Sequence, residues 1–161
     1  MKELPTDLGR ELKDVYDRGD LVSDELMVRL IKDRLLRGDT VGGFVLDGFP
    51  RTMPQAEALD GLLRELGRSL DVVFDFQVPD RDELLHRMLR RAAEEGRSDD
   101  TPEAIERRLA LYERETAPLV AHYRTTLVNV VGIHADRSIE EVFREIEQSL
   151  EEVQRHRKVE A

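Results

Sequence analysis

The stretch Asp47-Gly48-Phe49-Pro50-Arg51-Thr52 holds the residue types that phosphate chemistry uses. A carboxylate can hold the water shell of a magnesium ion on nucleotide phosphates, and an arginine four residues on can clamp a phosphate with its planar, permanently charged fork. Arg87 and Arg91, four apart, would share one helix face. The spacing of the hexapeptide also fits an ordinary capped turn, and Asp47-Gly48 alone could open a hairpin. Pro50 and the helical pattern after it argue against a returning strand. The turn then leads from a strand end into a helix, the place where open α/β sheets bind ligands.

The elements that must position these residues follow from changes in apolar period. Residues 8–18 read as a short helix ended by Gly19. Ser23 caps a second helix with a stripe of Leu26, Leu30, Ile31 and Leu35, closed by Gly38. Residues 43–47 are a short apolar run bounded by glycines, the pattern of a strand buried on both faces, with Asp47 at its C-terminal end. Pro54 suits the first turn of a helix carrying Leu59, Leu62, Leu63 and Leu66 and stopping at Gly67. Residues 72–78 form a second strand by alternation. Asp80 with Glu83 makes a capping-box-like start to a helix striped by Leu84, Leu85, Met88 and Leu89. After a polar loop, Thr101-Pro102-Glu103 opens a helix that reaches about Arg124. Residues 127–131 are a third strand, and Ser138 with Glu141 caps a terminal helix striped by Ile139, Val142, Phe143, Ile146, Leu150 and Val153, frayed beyond Val153. Strands alternating with helices predict an α/β fold with a parallel sheet.

Composition narrows the classes. A length of 161 residues predicts one domain. Twenty-five Lys+Arg against 35 Asp+Glu leave a net charge of −10, which repels polyanions, so neither nucleic acid nor an anionic membrane surface is expected as partner. The absence of cysteine excludes disulfides, thiol nucleophiles and cysteine-based zinc sites, and His86, His122, His134 and His156 lack metal-ligand spacing. No apolar stretch has the length of a signal peptide core or a membrane span, and a cytoplasmic location is expected. Arginine supplies 21 of the 25 basic residues, so most, including Arg90, Arg107 and Arg114, read as solvated charges. Asp99-Asp100 read as a helix cap or ion-pair partners rather than metal ligands, and His134 as a surface residue.

Several segments together resemble the adenylate kinase family of nucleoside monophosphate kinases. The run from Gly43 through Asp47-Gly48-Phe49-Pro50-Arg51-Thr52-Met53-Pro54-Gln55-Ala56 is similar to the family signature almost residue for residue. Gly19-Asp20-Leu21-Val22-Ser23-Asp24-Glu25-Leu26 resembles the stretch bordering the monophosphate pocket, and Arg87, Arg91, Gly96-Arg97-Ser98-Asp99-Asp100 and Arg108 fall at the spacing of its short-lid members. The resemblance runs from about Leu8 to Gln148. It implies reversible exchange of a phosphoryl group, ATP + AMP = 2 ADP, with Mg²⁺. Arg51 would grip the AMP phosphate and Gln55 would read the adenine edge, since a side-chain amide both donates and accepts. The backbone around Leu21, Val22 and Gly48 would line the adenosine site, with Arg97 and Arg108 also toward AMP. Asp47 would orient Mg²⁺ through water. Arg87 would lie against the base of ATP, and Arg91, Arg97 and Arg108 would converge on the phosphates as a lid closes and excludes water.

The implied fold is P-loop-NTPase-like, a three-layer parallel sheet with helices on both faces. It would have a partial monophosphate-binding helical segment at 8–42, a core at 43–86 and 109–161, and a short lid region at 87–108. The family's glycine-rich loop and its lysine have no counterpart in this sequence, whose lysines are Lys2, Lys13, Lys32 and Lys158. The chain therefore reads as an N-terminally shortened member without the first strand and P-loop. Losing those cations predicts activity at least ~10⁴-fold below an intact enzyme. Family members are expected as monomers, while unpaired strand edges here favour self-association. Two other readings stay open: a catalytically inert nucleotide-binding or regulatory homologue, and an interaction protein whose open slot takes a strand from another chain.

Overall fold

A computed structural model describes residue 10 and residues 22–95, 101–126 and 128–160, with the side chains of 95 and 156–160 left aside. The helix expected at 8–18, Asp99-Asp100 and the side chain of His156 lie outside the described residues. The chain divides into two compact units, one ending at Ser69 and one beginning at Leu70.

The first unit is a pair of helices. Ser23 caps α1 (Asp24–Leu35) as its spacing predicts, its hydroxyl accepting from the Leu26 N–H at 3.2 Å. A short 3₁₀ turn, Gly38–Thr40, follows. Helix α2 (Met53–Glu65) is capped by Thr52, carries Pro54 in its first turn and ends at Gly67, whose φ of +63° only glycine adopts freely. Leu26 and Leu35 of α1 and Ala56, Leu59, Leu62 and Leu63 of α2 are buried and form this unit's core. Between the helices, residues 43–47 are not a strand: no ladder partner pairs with them among the described residues, and Val45 is 94% exposed. An apolar run becomes a strand only where a neighbour takes its N–H and C=O groups. What holds this stretch instead is Arg68, whose Nη2 donates to the Thr40 carbonyl at 2.6 Å and whose guanidinium carbon lies 4.6 Å from the centre of the Phe44 ring.

The second unit holds the described sheet. β1 (Val72–Gln77) pairs in parallel with β2 (Asn129–His134), Val72 opposite Asn129 and Gln77 opposite His134. β2 lies two to three residues later than the apolar run suggested. A parallel pair needs a crossover, and α3 (Arg81–Glu95), α4 (Pro102–Leu111) and α5 (Ala117–Arg124) supply it. The helix expected from Thr101 to Arg124 is one helical run interrupted by a π-turn at Tyr112–Thr116. α5 and the terminal helix α6 (Ile139–Glu160) pack on β2. Ile105, Leu119, Tyr123, Ile133 and Val153 are buried.

Three expectations change here. Asp80 caps α3 through its Oδ1, but Glu83 pairs with Arg87 instead of closing a reciprocal box. α6 continues through Glu160 rather than fraying after Val153. Its stripe is split: Val153 is buried and Val142 and Ile146 are half-buried, while Ile139, Phe143 and Leu150 are exposed. The result is a helix-rich α/β chain with a small parallel sheet.

Candidate functional site

In the first unit the sequence motif becomes a tight turn. Gly48 has φ +70°, and a Cβ there would lie 2.7 Å from Nη2 of Arg51. Only glycine combines that backbone with that approach. The Arg51 side chain folds back so that Nε donates to the Gly48 carbonyl at 2.7 Å, with the guanidinium exposed at the surface. Phe49–Pro50 is a cis peptide bond. The Arg51 N–H donates to Gln55 Oε1 at 2.8 Å, one helical turn ahead, so the start of α2 sets both residues together.

Gln55 is buried, and its Nε2 donates to Asp24 Oδ1 at 2.6 Å. Thr52, besides capping α2, donates from Oγ1 to Asp24 Oδ2 at 2.9 Å. The first residue of α1 thus meets the first turn of α2, and Val22 immediately precedes the cap of α1. Gly48, Arg51 and Gln55 lie together in this turn, whereas Leu21 lies outside the described residues. Sequence reasoning missed Asp24, because a contact spanning 31 residues leaves no local signal. Asp47 is exposed beside this turn.

In the second unit, Arg87 is held on all three sides of its fork. Nε donates to Glu83 Oε1 at 2.7 Å, Nη1 to the Ala135 carbonyl at 2.7 Å and Nη2 to the Asp136 carbonyl at 2.8 Å. The Ala135 N–H in turn donates to the Gln77 carbonyl at 2.9 Å, extending the strand pairing into the turn that receives Arg87. Beside it a groove of about 310 Å³ is lined by Arg87, Ala135, Arg137, Val142, Phe143 and Ile146. Arg91 lies one turn further along α3 and Arg108 lies on α4, both exposed. Arg97 lies outside the described residues.

The plainer readings hold for other charged groups. Arg90 and Arg114 are exposed and pair with Glu94 and Glu115, and Arg107 is exposed. His134 is exposed, 3.5 Å from Glu145, which also binds Arg137. Among the described residues no group of three His, Cys, Asp or Glu could hold a metal ion, and no helix is long and apolar enough to cross a membrane.

A family model described as adenylate kinase matches residues 1–128, short of the Gln148 end of the resemblance. An adenylate kinase of Caulobacter sp. (strain K31) is 48% identical over 119 residues, 74% of this chain and 62% of the relative. One of Stenotrophomonas maltophilia (strain K279a) is 45% identical over 130 residues, 80% of this chain and 69% of the relative. One of Micrococcus luteus is 51% identical over 118 residues, 73% of this chain and 57% of the relative. The matched part spans roughly three-fifths of the first of these relatives and less of the last. That match takes in the turn at Gly48, the Gln55 amide and the arginines of α3 and α4, and the chain belongs to the adenylate kinase family.

Proposed function

We propose that the chain carries the monophosphate half and the arginine-bearing lid region of an adenylate kinase-type phosphotransferase, catalysing ATP + AMP = 2 ADP. In this reading the AMP phosphate rests against Arg51, with Arg97 and Arg108 also directed to it, and the base faces Gln55. Backbone at Leu21, Val22 and Gly48 lines the adenosine. An oxygen of the AMP phosphate attacks the γ-phosphorus of ATP, the bond from that phosphorus to the bridging oxygen breaks, and ADP leaves. Arg91, Arg97 and Arg108 hold the oxygens on which negative charge builds. Arg87 suits the base of ATP, because each of its three guanidinium nitrogens already donates in plane, to Glu83, Ala135 and Asp136, and a guanidinium plane stacks on an aromatic ring.

The donor set suits magnesium bound mainly by phosphates and water. Asp47 is a single exposed carboxylate, and octahedral Mg²⁺ keeps most of its water and takes few protein oxygens. When bound, the ion supplies charge neutralisation on the phosphates; Asp47 holds its water. The partners are then ATP, AMP and ADP, and the location cytoplasmic.

The observation that carries the reading is the Gly48–Arg51–Gln55 turn inside a matched adenylate kinase segment. It is tested by ADP formation from ATP and AMP in a coupled assay, with Arg51→Ala beside the parent chain. Activity that falls in the variant supports it; equal rates remove Arg51 from the site. The alternative reading is an inert homologue that keeps AMP binding. Calorimetric AMP binding without turnover selects it.

A further inference from the structure

We propose that Asp24 is a positioning residue that fixes which way round the Gln55 amide faces, and through it which purine edge the monophosphate pocket accepts. This rests on the reading of Gln55 as the group that meets the base. Gln55 is only 8% exposed, and its amide is held at both ends: Nε2 donates to Asp24 Oδ1 at 2.6 Å, and Oε1 accepts from the Arg51 N–H at 2.8 Å. A carboxylate can only accept and a peptide N–H can only donate. Turning the amide by half a revolution would set oxygen against oxygen and N–H against N–H, so one orientation alone satisfies the network. Asp24 is itself held, because Thr52 Oγ1 donates to its other oxygen at 2.9 Å.

A primary amide has two N–H donors and two oxygen lone pairs. These two bonds use one of each, leaving one donor and one acceptor in a fixed order. Adenine offers an amino donor beside a ring-nitrogen acceptor; a 6-oxopurine offers the reverse, a carbonyl acceptor beside a ring N–H. An amide free to turn serves both edges, and a locked one serves a single edge. Of the two locks, Asp24 is the stronger, since a bond to a charged acceptor is worth roughly twice a neutral one.

The test is calorimetric titration of the full chain with AMP and with IMP, which differ at this edge alone, for the parent chain, Asp24→Ala, Asp24→Asn and Gln55→Ala. The parent is expected to prefer AMP by at least about tenfold, the size of one mismatched buried hydrogen bond. Asp24→Ala should bring the two affinities within roughly threefold of each other, because the Arg51 N–H alone then holds the amide. Asp24→Asn, which keeps an acceptor oxygen, should retain most of the preference. A purely structural loss would weaken both nucleotides together and leave their ratio alone. An unchanged ratio in Asp24→Ala, with Gln55→Ala abolishing it, overturns the role of Asp24 and leaves Gln55 as the base-facing group. An unchanged ratio in Gln55→Ala overturns the underlying reading of Gln55.

Discussion

Nη1 of Arg87 lies 2.7 Å from the carbonyl oxygen of Ala135, forty-eight residues further along the chain. With Nη2 on the Asp136 carbonyl, one guanidinium fastens α3 to the turn that leaves β2. A lysine ends in a single ammonium and cannot span both carbonyls while also meeting Glu83. Arg87→Lys should therefore destabilise the chain by about 1.5 kcal/mol, the lower end for a lost bond to a charged group, as the side chain is about one-third exposed. The change is read as a lower urea midpoint at unchanged slope. An unchanged midpoint would show that the fork adds nothing to stability.

Gly48 makes a sharper prediction. Alanine at φ +70° carries a left-handed penalty of about 1–2 kcal/mol, and its Cβ would fall 2.7 Å from Nη2 of Arg51. The guanidinium tip can swing away, so the expected outcome is modest destabilisation together with AMP affinity about tenfold weaker, the size of one charge-assisted bond. Gly61 is the control. It lies inside α2 at ordinary φ, with nothing beyond its chain neighbours and its own helix backbone within 4 Å of where a Cβ would sit, and Gly61→Ala should stabilise the helix by up to about 1 kcal/mol without altering AMP binding. Calorimetry and thermal melting of the pair separate backbone strain from phosphate contact.

These two sites show what a sequence can and cannot disclose. Ser23, Thr101 and Ser138 each bond within three residues of themselves, so these helix starts were readable from short spacing alone. The turn at Gly48 was equally local. The run at 43–47 misled because a continuous apolar run reports suitability for burial, while strand formation depends on a partner elsewhere. The π-turn at Tyr112–Thr116 has its mark in Pro118, which has no N–H for the carbonyl four residues back and falls in the first turn of α5. Asp24 on Gln55 and Arg87 on Ala135 link residues 31 and 48 positions apart, and no periodicity encodes a contact of that range.

At the start of α6 the reciprocal box is complete. The Ser138 N–H and hydroxyl both donate to Glu141 Oε2, at 3.1 and 2.7 Å, and the Glu141 N–H returns to Ser138 Oγ at 3.3 Å. The Ser138 hydroxyl, followed by its backbone N–H, holds the Glu141 carboxyl below its ordinary 4.5. A carboxylate with a lowered folded pKa stabilises above the unfolded value and loses that contribution as pH falls through the folded one. Acidification below about pH 4.5 should loosen the first turn of α6. Melting curves between neutral and acidic pH should show a smaller decrease for Glu141→Gln than for the parent chain, and an identical decrease would remove the box from the acid response.

Tyr112 in the π-turn, 45% exposed, contributes to the alkaline limb. Partial burial, with the negative charge of Asp75 on β1 as second cause, pushes its phenol above the ordinary 10.0. The folded chain then keeps this proton at a pH where the unfolded chain has released it. Above about pH 10 the unfolded state binds fewer protons than the folded one, so stability falls as pH rises. It is full below the unfolded value and declines toward the folded one. Tyr112→Phe keeps the ring and removes the ionisation, and should flatten this decline; Asp75→Asn should bring the phenol closer to its ordinary value and shrink it. Because Tyr16 and Tyr123 also absorb, the Tyr112 titration is read as the difference in the phenolate ultraviolet band between parent and Tyr112→Phe. A Tyr112 phenol ionising at its ordinary value would mean that neither burial nor Asp75 acts on it.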